Sequence, residues 1–197
     1  PEDKLAAVTG GAVFEDGLGE FSAVREELRK YYPEDVRIKK IAARAAKMAQ
    51  SGQYNYGRCM RRGDTVAAML ALDEFVRQAI SMVYLLNRTY MPYYKWMFRG
   101  MEKFQILPEV AEKIRELSVM GDTSEMWKPP FPPGWNPYVN QLDPRVGRIE
   151  KICQAVVGEL RKQGLTDSRN AFLEAHTWEI MKRIQDPELK KCHVMEG

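Results

Sequence analysis

The chain has 197 residues, of which 45% are hydrophobic and 29% are charged, a composition typical of a folded globular domain rather than a disordered one. Its three cysteines, Cys59, Cys153 and Cys192, are too far apart for a zinc site and favour free thiols over a disulfide framework. The net charge is only +3, but residues 25–62 contain eleven Lys and Arg against four acids, a local +7. This excess suits an anionic partner such as nucleotide phosphates or RNA, and a solvated helix face would have the same pattern.

Residues 1–21 differ from the rest of the chain. A short β-prone run at residues 12–14 is closed by an acidic, glycine-rich turn, which predicts one strand and its exit. Because a single strand is not stable alone, we expect residues 1–21 to be a tail or strand at the boundary with an upstream domain that is missing here. The helical bundle would then occupy residues 22–197. No secretory signal pattern opens the chain.

Apolar periodicity predicts helices over residues 23–32, 33–50, 64–90, 108–120, 143–163 and 168–184. The helix at residues 64–90 is apolar nearly all round, so we expect it to lie at the centre of the bundle. Its polar residues form one narrow stripe: Asp73, Glu74, Arg77, Gln78 and Ser81. These charges also argue against a membrane span. Residues 121–142 hold five prolines and predict an ordered loop fixed by aromatic side chains. The fold class is therefore all-α, with about six helices around the central one and a short N-terminal β-strand.

The segment before the central helix is the strongest candidate ligand site. Tyrosines can stack on a base, amides can read polar edges, and arginines bind phosphate in bidentate geometry. We therefore expect a ligand-binding wall from this set: Tyr54, Asn55, Tyr56, Arg58, Arg61 and Arg62. The same residues would also fit an interhelical linker whose tyrosines simply pack.

Two further groups of residues are candidates for a catalytic role. Asp73 and Glu74 lie on the polar stripe, where a carboxylate tuned by burial and by Arg77 could act as a general base. The pair Asp73–Arg77 also has ordinary i,i+4 ion-pair spacing. Arg169 and His176 are seven residues apart on the last predicted helix, a spacing that would allow one to hold RNA phosphate and the other to move protons. A packed or surface histidine fits equally.

Several short motifs together resemble one bacterial family. They are Gly52-Gln53-Tyr54-Asn55-Tyr56, Arg61-Arg62-Gly63-Asp64 and Leu85-Leu86-Asn87-Arg88, with Val13-Phe14-Glu15-Asp16 before them. The sequence is similar, over about residues 1–125, to the family called domain of unknown function 4037. Asn87 and Arg88 join the candidate substrate-binding residues on this basis.

That resemblance implies an architecture. Members carry an upstream domain similar to minimal nucleotidyltransferases, followed by a bundle resembling the helical domain of kanamycin nucleotidyltransferase. The upstream domain would hold the metal-binding carboxylates, so Mg²⁺ and a nucleoside triphosphate are implied for the complete protein and no metal ligand is expected in this chain. The general base of the antibiotic enzymes comes from the helical domain, which makes Glu74 the matching candidate.

The sequence therefore predicts a cytoplasmic, helical substrate- or nucleotide-binding domain that is not catalytically complete alone. Its basic face would be turned toward the upstream domain and its nucleotide: Arg37, Lys40, Arg44 and Lys47. The alternative is a bundle similar to the HEPN ribonucleases, with Arg169 and His176 as its motif and RNA as its partner. A third interpretation is a structural bundle that forms a homodimer.

Overall fold

The computed structural model describes residues 2–136 and 140–197, and these residues form helices and no strand. The prediction of an all-α fold is thus confirmed for the described part of the chain. The α-helices are Glu2–Thr9 (α1), Glu20–Arg29 (α2), Glu34–Met48 (α3), Gly57–Arg61 (α4), Thr65–Leu86 (α5), Tyr94–Met101 (α6), Pro108–Val119 (α7), Pro144–Lys162 (α8), Glu174–Lys182 (α9) and Pro187–Lys191 (α10). A π-helical segment, Ala49–Tyr56, and a 3₁₀ turn, Ser124–Trp127, complete the set.

The predicted N-terminal strand is wrong. Residues 12–14 lie in an irregular connection, and the residues before them form α1 instead. Helix α1 is held by Arg25 of α2, which is 6% exposed and donates hydrogen bonds to the carbonyls of Val8 and Gly10 at 3.0 and 2.7 Å. The last carbonyls of a helix need such partners. A three-residue β-prone run offers no comparable set of bonds, so the helical hairpin forms.

A helical path without a break runs from α3 through the π-helical segment into α4. The sequence predicted a linker here, because glycine and polar residues interrupt the apolar pattern at residues 51–63. The chain stays helical through this interruption by forming π-helical turns. Four residues of these turns are buried: Ser51, Gly52, Gln53 and Tyr56. In the π-helix the backbone bonds run from i to i+5, which widens the helix locally.

Helix α5 packs along this path and forms the centre of the bundle. Every residue from Gln78 to Leu86 is buried, as expected for a helix that is apolar on most sides. The first turns differ from that prediction, because Val66, Met69 and Leu70 are more than 60% exposed. Among the described residues, no helix is both long and apolar enough to cross a membrane.

Of the remaining helices, α6 and α8 contact α5, whereas α9 packs on α3. Helix α7 packs on α8, which begins at its N-cap Asp143. The proline-rich loop before α8 is fixed by aromatic side chains, since Phe131 and Trp135 stack with ring centroids 3.9 Å apart and Trp127 is buried. This agrees with the predicted ordered loop, of which residues 137–139 lie outside the described residues.

Gly52 is the point of closest approach between the π-helical segment and α5. A Cβ atom there would lie 2.3 Å from Cδ2 of the fully buried Phe75 ring. We therefore expect Gly52→Ala to lower the free energy of unfolding by about 1–3 kcal/mol, the usual effect of overpacking a core. The measurement is urea denaturation of the purified variant.

Gly158 of α8 provides the matched control, because a Cβ there meets nothing within 4 Å. Gly158→Ala should raise the stability by about 0.5–1 kcal/mol through helix propensity. Equal effects at the two glycines would contradict the packing explanation.

Candidate functional site

A small polar cavity of about 140 Å³ lies between α3 and α5, next to the last residue of the chain. We call it the cationic cavity, because it is lined by Arg44 and Lys47 of α3 and by Arg77, Gln78 and Ser81 of α5, with Met91 and Gly197 at its edge. Arg44 and Lys47 are one turn apart, and so are Arg77 and Ser81. The basic face of one helix and the polar stripe of the other therefore meet here.

Arg44 is fixed in the wall of this cavity. Its Nε donates to Ser81 Oγ at 2.8 Å, and its Nη1 donates to the carbonyl oxygen of Gly197 at 2.7 Å. The residue is only 9% exposed, and Ser81 is 2% exposed. A guanidinium held in this way offers its remaining N–H groups in a defined direction.

Arg77 and Gln78 share the carboxylate of Glu74. Arg77 Nε donates to Glu74 Oε2 at 3.0 Å, and Gln78 Nε2 donates to Glu74 Oε1 at 2.8 Å. The amide oxygen of Gln78 is buried without a hydrogen-bond partner among the described residues. Buried acceptors are usually satisfied, so this oxygen marks a place where a donor from a ligand or a water molecule would fit.

Positive charge accumulates around the cavity. Burial lowers the pKa of Lys40, Arg44 and Lys47, and the positive charges of their neighbours lower it further. Glu2 and Glu74 oppose this effect for Arg44, as Glu2 does for Lys40. Cations that are partly desolvated and crowded together favour an anion between them.

Tyrosine side chains border the same basic cluster. The Lys40 ammonium lies 5.1 Å from the ring centroid of Tyr32, and the rings of Tyr31, Tyr32 and Tyr90 are within 4.9 Å of one another. Burial is the main cause that raises the pKa of Tyr31 and Tyr32, so both stay neutral. Neutral rings that pack edge-to-face beside a cation provide an aromatic surface near the basic cluster.

The predicted basic face is only partly right. Lys40, Arg44 and Lys47 do gather, but Arg37 is 2% exposed and bonds elsewhere, to Glu34 at 2.6 Å and to Gln163 Oε1 at 3.1 Å. Its hydrogen bonds to Glu34, Leu85 and Gln163 keep Arg37 away from the lining of the cationic cavity.

The predicted ligand wall before α5 does not form one surface. Arg58 lies 4.7 Å from the ring centroid of Tyr54, and Arg61 lies 5.8 Å from that of Trp135. Asn55 and Arg62 are exposed, and Asn55 lines a different cavity. Because residues 49–61 follow a helical path, their side chains point to different sides of its axis.

Tyr56, another member of that wall, is fully buried in a hydrogen-bond network. Its hydroxyl donates to Asp143 Oδ2 at 2.9 Å, and the same oxygen accepts from Trp127 Nε1 at 2.8 Å and from Thr123 Oγ1 at 3.0 Å. Asp143 also caps α8 through Arg145 N. The network joins the π-helical segment to α8 and leaves Tyr56 no access to a ligand.

The remaining candidates are also accounted for by local contacts. Asn87 Nδ2 donates to the carbonyls of Val83 and Ile106, and Arg88 pairs with Glu34 at 2.9 Å. Asp73 is exposed, and the expected Asp73–Arg77 pair is replaced by Glu74–Arg77.

Arg169 and His176 do not share a helix face. Helix α9 begins at Glu174, so Arg169 lies in the loop before it, where it is exposed. His176 is fully buried, with Nδ1 2.9 Å from Thr166 Oγ1 and Nε2 2.8 Å from the carbonyl oxygen of Asn170. The serine and asparagine turns at residues 168–172 make the helix begin later than the apolar pattern predicts.

Magnesium does not fit the side chains present. The described residues contain no group of three His, Cys, Asp or Glu that could hold a metal ion. Glu74, the carboxylate beside the cationic cavity, is already bonded to Arg77 and Gln78.

The described chain is thus an all-helical bundle with a cationic cavity between its two central helices. Residues 1–97 match the model of the family described as Domain of unknown function (DUF4037), which confirms the resemblance found in the sequence. The match ends before the predicted limit near residue 125, and it includes every lining residue of the cavity except Gly197. No curated protein and no solved structure matches the chain.

Gln78 and Ser81 were seen in the sequence as polar stripe residues and not as site residues. The signal that could have identified them is the pairing of two stripes, one basic on α3 and one polar on α5. Such pairing becomes visible only when the two helices are known to be adjacent.

The buried hydroxyl of Tyr56 gives a pH-dependent test of its structural role. Burial, with the charge of Asp143 adding to it, raises the pKa of Tyr56 to about 12 from 10.0. A raised folded-state pKa contributes stability that is present below pH 10 and is lost as the pH rises toward 12. We therefore expect Tyr56→Phe to be less stable than the wild type by about 1 kcal/mol at pH 8.

The difference in unfolding free energy between wild type and Tyr56→Phe should shrink between pH 10 and pH 12. Urea denaturation at a series of pH values measures it, and comparing the two proteins cancels the other tyrosines. A difference that stays constant over this range would show that the hydroxyl of Tyr56 is not held protonated by its surroundings.

Proposed function

We propose that this chain is the helical nucleotide-binding part of a nucleotidyltransferase-like protein, and that the cationic cavity receives the phosphates. The observation that carries this proposal is the convergence of Arg44, Lys47 and Arg77 on one cavity between α3 and α5. Phosphate-bearing ligands recruit this kind of crowded cationic group.

The energetics favour a ligand of high negative charge. The lowered pKa values of Lys40 and Lys47 mean that their charged forms are destabilised by burial and mutual repulsion. A bound polyphosphate would relieve both causes, because it supplies opposite charge within the cluster. Fixed guanidinium groups such as Arg44 add bidentate hydrogen bonds.

The aromatic cluster gives a reason to prefer a nucleotide over free phosphate. The Tyr32 ring lies 5.1 Å from the ammonium of Lys40, which is one helical turn before Arg44 of the cavity wall. A base or sugar attached to the phosphates could lie against this tyrosine surface. The Gln and Asn side chains of the π-helical segment and the arginines of α4 are not needed for this arrangement.

The chemistry would require a second domain. In our proposal, Mg²⁺ is held by an upstream nucleotidyltransferase-like domain, as the family resemblance implies, and this chain is not catalytically complete alone. The exposed apolar side chains of the N-terminal region support such a partner: Phe14, Leu18, Phe21 and Val24 are between 49% and 99% exposed. The proposed location is the cytoplasm, and a second copy of the chain stays open as a partner.

Calorimetric titration with ATP and with inorganic tripolyphosphate tests the cavity. Lys47→Ala and Arg77→Ala should each weaken binding by about tenfold to a hundredfold, because each removes one charge-assisted contact worth roughly 1.5–3 kcal/mol. Both side chains reach solvent, so these variants should fold. Weaker binding of tripolyphosphate than of ATP would support a role for the tyrosine rings.

Arg62→Ala is the matched control, since it removes an exposed arginine outside the cavity. Its affinity for ATP should equal that of the wild type. If Arg62→Ala weakens binding as much as Lys47→Ala does, the anion is held by surface charge in general. If only a short RNA binds, the nucleotide proposal is overturned in favour of RNA.

Glu74 remains the predicted general base. Its carboxylate holds Arg77 and Gln78 at the edge of the cavity, a position from which it could reach a ligand. In the full-length protein, Glu74→Gln should abolish nucleotidyl transfer while changing ATP affinity by less than about threefold, because an amide can still bond Gln78. Unchanged transfer would overturn the role as base.

A further inference from the structure

A second cavity, of about 440 Å³, lies on a neighbouring face of α3, where Ala46 lines it and the next residue, Lys47, lines the cationic cavity. It is bounded by the end of α3, the π-helical segment, α9 and the C-terminal residues 193–195. The C-terminal residues are held in place by Lys39, whose Nζ donates to the carbonyls of His193 and Val194 at 2.7 and 3.4 Å. The volume of this second cavity falls within the range of pockets that bind small molecules.

The charge of this cavity is opposite to that of the first one. Among its described lining residues there is no lysine or arginine, although the chain contains 30 of them. Glu174 supplies a carboxylate, and its Oε2 accepts a hydrogen bond from Gln50 at 3.0 Å. Gln50 and Asn55 add amide groups to the lining. Glu174 and His193 are the ionisable side chains of the described lining, so a cationic ligand would find a carboxylate as its countercharge here.

Thr177 provides an independent sign of a ligand. The residue lines the cavity and is 1% exposed, and its Oγ1 is buried without a hydrogen-bond partner among the described residues. Buried hydroxyls are normally bonded, because leaving one unsatisfied costs about 1–3 kcal/mol.

Trp178 offers a free aromatic face at the same place. Its side chain is 62% exposed although it follows the buried Thr177 on α9. An exposed indole face attracts ammonium groups through its quadrupole, more strongly than the other aromatic side chains do. The combination of carboxylate, buried hydroxyl and indole is typical of sites that hold an organic cation.

We propose that this second cavity binds a small organic molecule that carries a primary ammonium group. The ammonium would donate to the Glu174 carboxylate and to Thr177 Oγ1, and Trp178 would cover it. Val194 and Met195 would contact the aliphatic part of the molecule. This inference does not depend on the proposed nucleotide site, since no side chain lines both cavities.

Calorimetric titration of the full chain with cadaverine, an unbranched diamine, tests the proposal. Cadaverine should bind, and glutarate, a dicarboxylate of similar length, should not. Glu174→Gln keeps the geometry of the side chain and removes its charge, so it should weaken cadaverine binding by about tenfold or more. Equal affinity of Glu174→Gln and wild type, or equal binding of glutarate, would overturn the proposal.

Glu112→Gln is the matched control, because Glu112 is exposed on α7, away from the cavity. It should leave the affinity for cadaverine unchanged, and so should Lys47→Ala. Loss of cadaverine binding in Glu112→Gln would show that surface charge, not the cavity, attracts the diamine. Because Lys47→Ala affects only the cationic cavity, failure of either proposed site can be told from failure of the other.

Thr177→Val separates a ligand contact from a structural role. Removing a buried, unpartnered hydroxyl should raise the melting temperature of the free protein. The same variant should bind cadaverine several-fold more weakly, because one acceptor for the ammonium is lost. A variant that is more stable and binds as tightly as the wild type would remove Thr177 from the site and overturn this part of the proposal.

Discussion

The close packing of the π-helical segment against α5 determines most of the structure. Phe75 fills the space that a side chain at position 52 would occupy, and only glycine permits this approach. The wider π-helical turns keep the helical path continuous from α3 to α4 while they bury Gln53 and Tyr56. Two long helices are therefore held side by side, and each cavity described above depends on the position of α3.

The buried polar groups of the bundle are of two kinds: some are hydrogen-bonded within the chain, and others line a cavity with an atom left unbonded. Asp143 and His176 are completely buried, and other residues of the chain satisfy them through hydrogen bonds. Gln78 and Thr177 differ, because each keeps a buried oxygen without a partner among the described residues, and each lines a cavity. An unsatisfied buried acceptor costs free energy, so these two oxygens need a structural or functional explanation.

The two cavities carry opposite charge on adjacent faces of one helix. Lys47 lines the cationic cavity, and its neighbour Ala46 lines the second one. The C-terminal residues contribute to both, with Gly197 at the first and Met195 at the second. One helix therefore contributes residues to two cavities of different charge, and no described residue lines both.

The sequence by itself determined the all-α class, the central place of α5, the helices α7 and α8 and the family resemblance, because apolar periodicity and caps are local signals. Only the tertiary structure decided which polar residues form a site. Tyr54, Tyr56 and Arg61 look like ligand groups in the sequence, yet Tyr56 binds Asp143 and Arg61 lies near Trp135, partners distant along the chain. Residues 12–14 do not form the expected strand. The residues before them form α1, and Arg25 of α2 binds the carbonyls at the end of that helix. Long-range contacts of this kind leave no pattern in a single sequence.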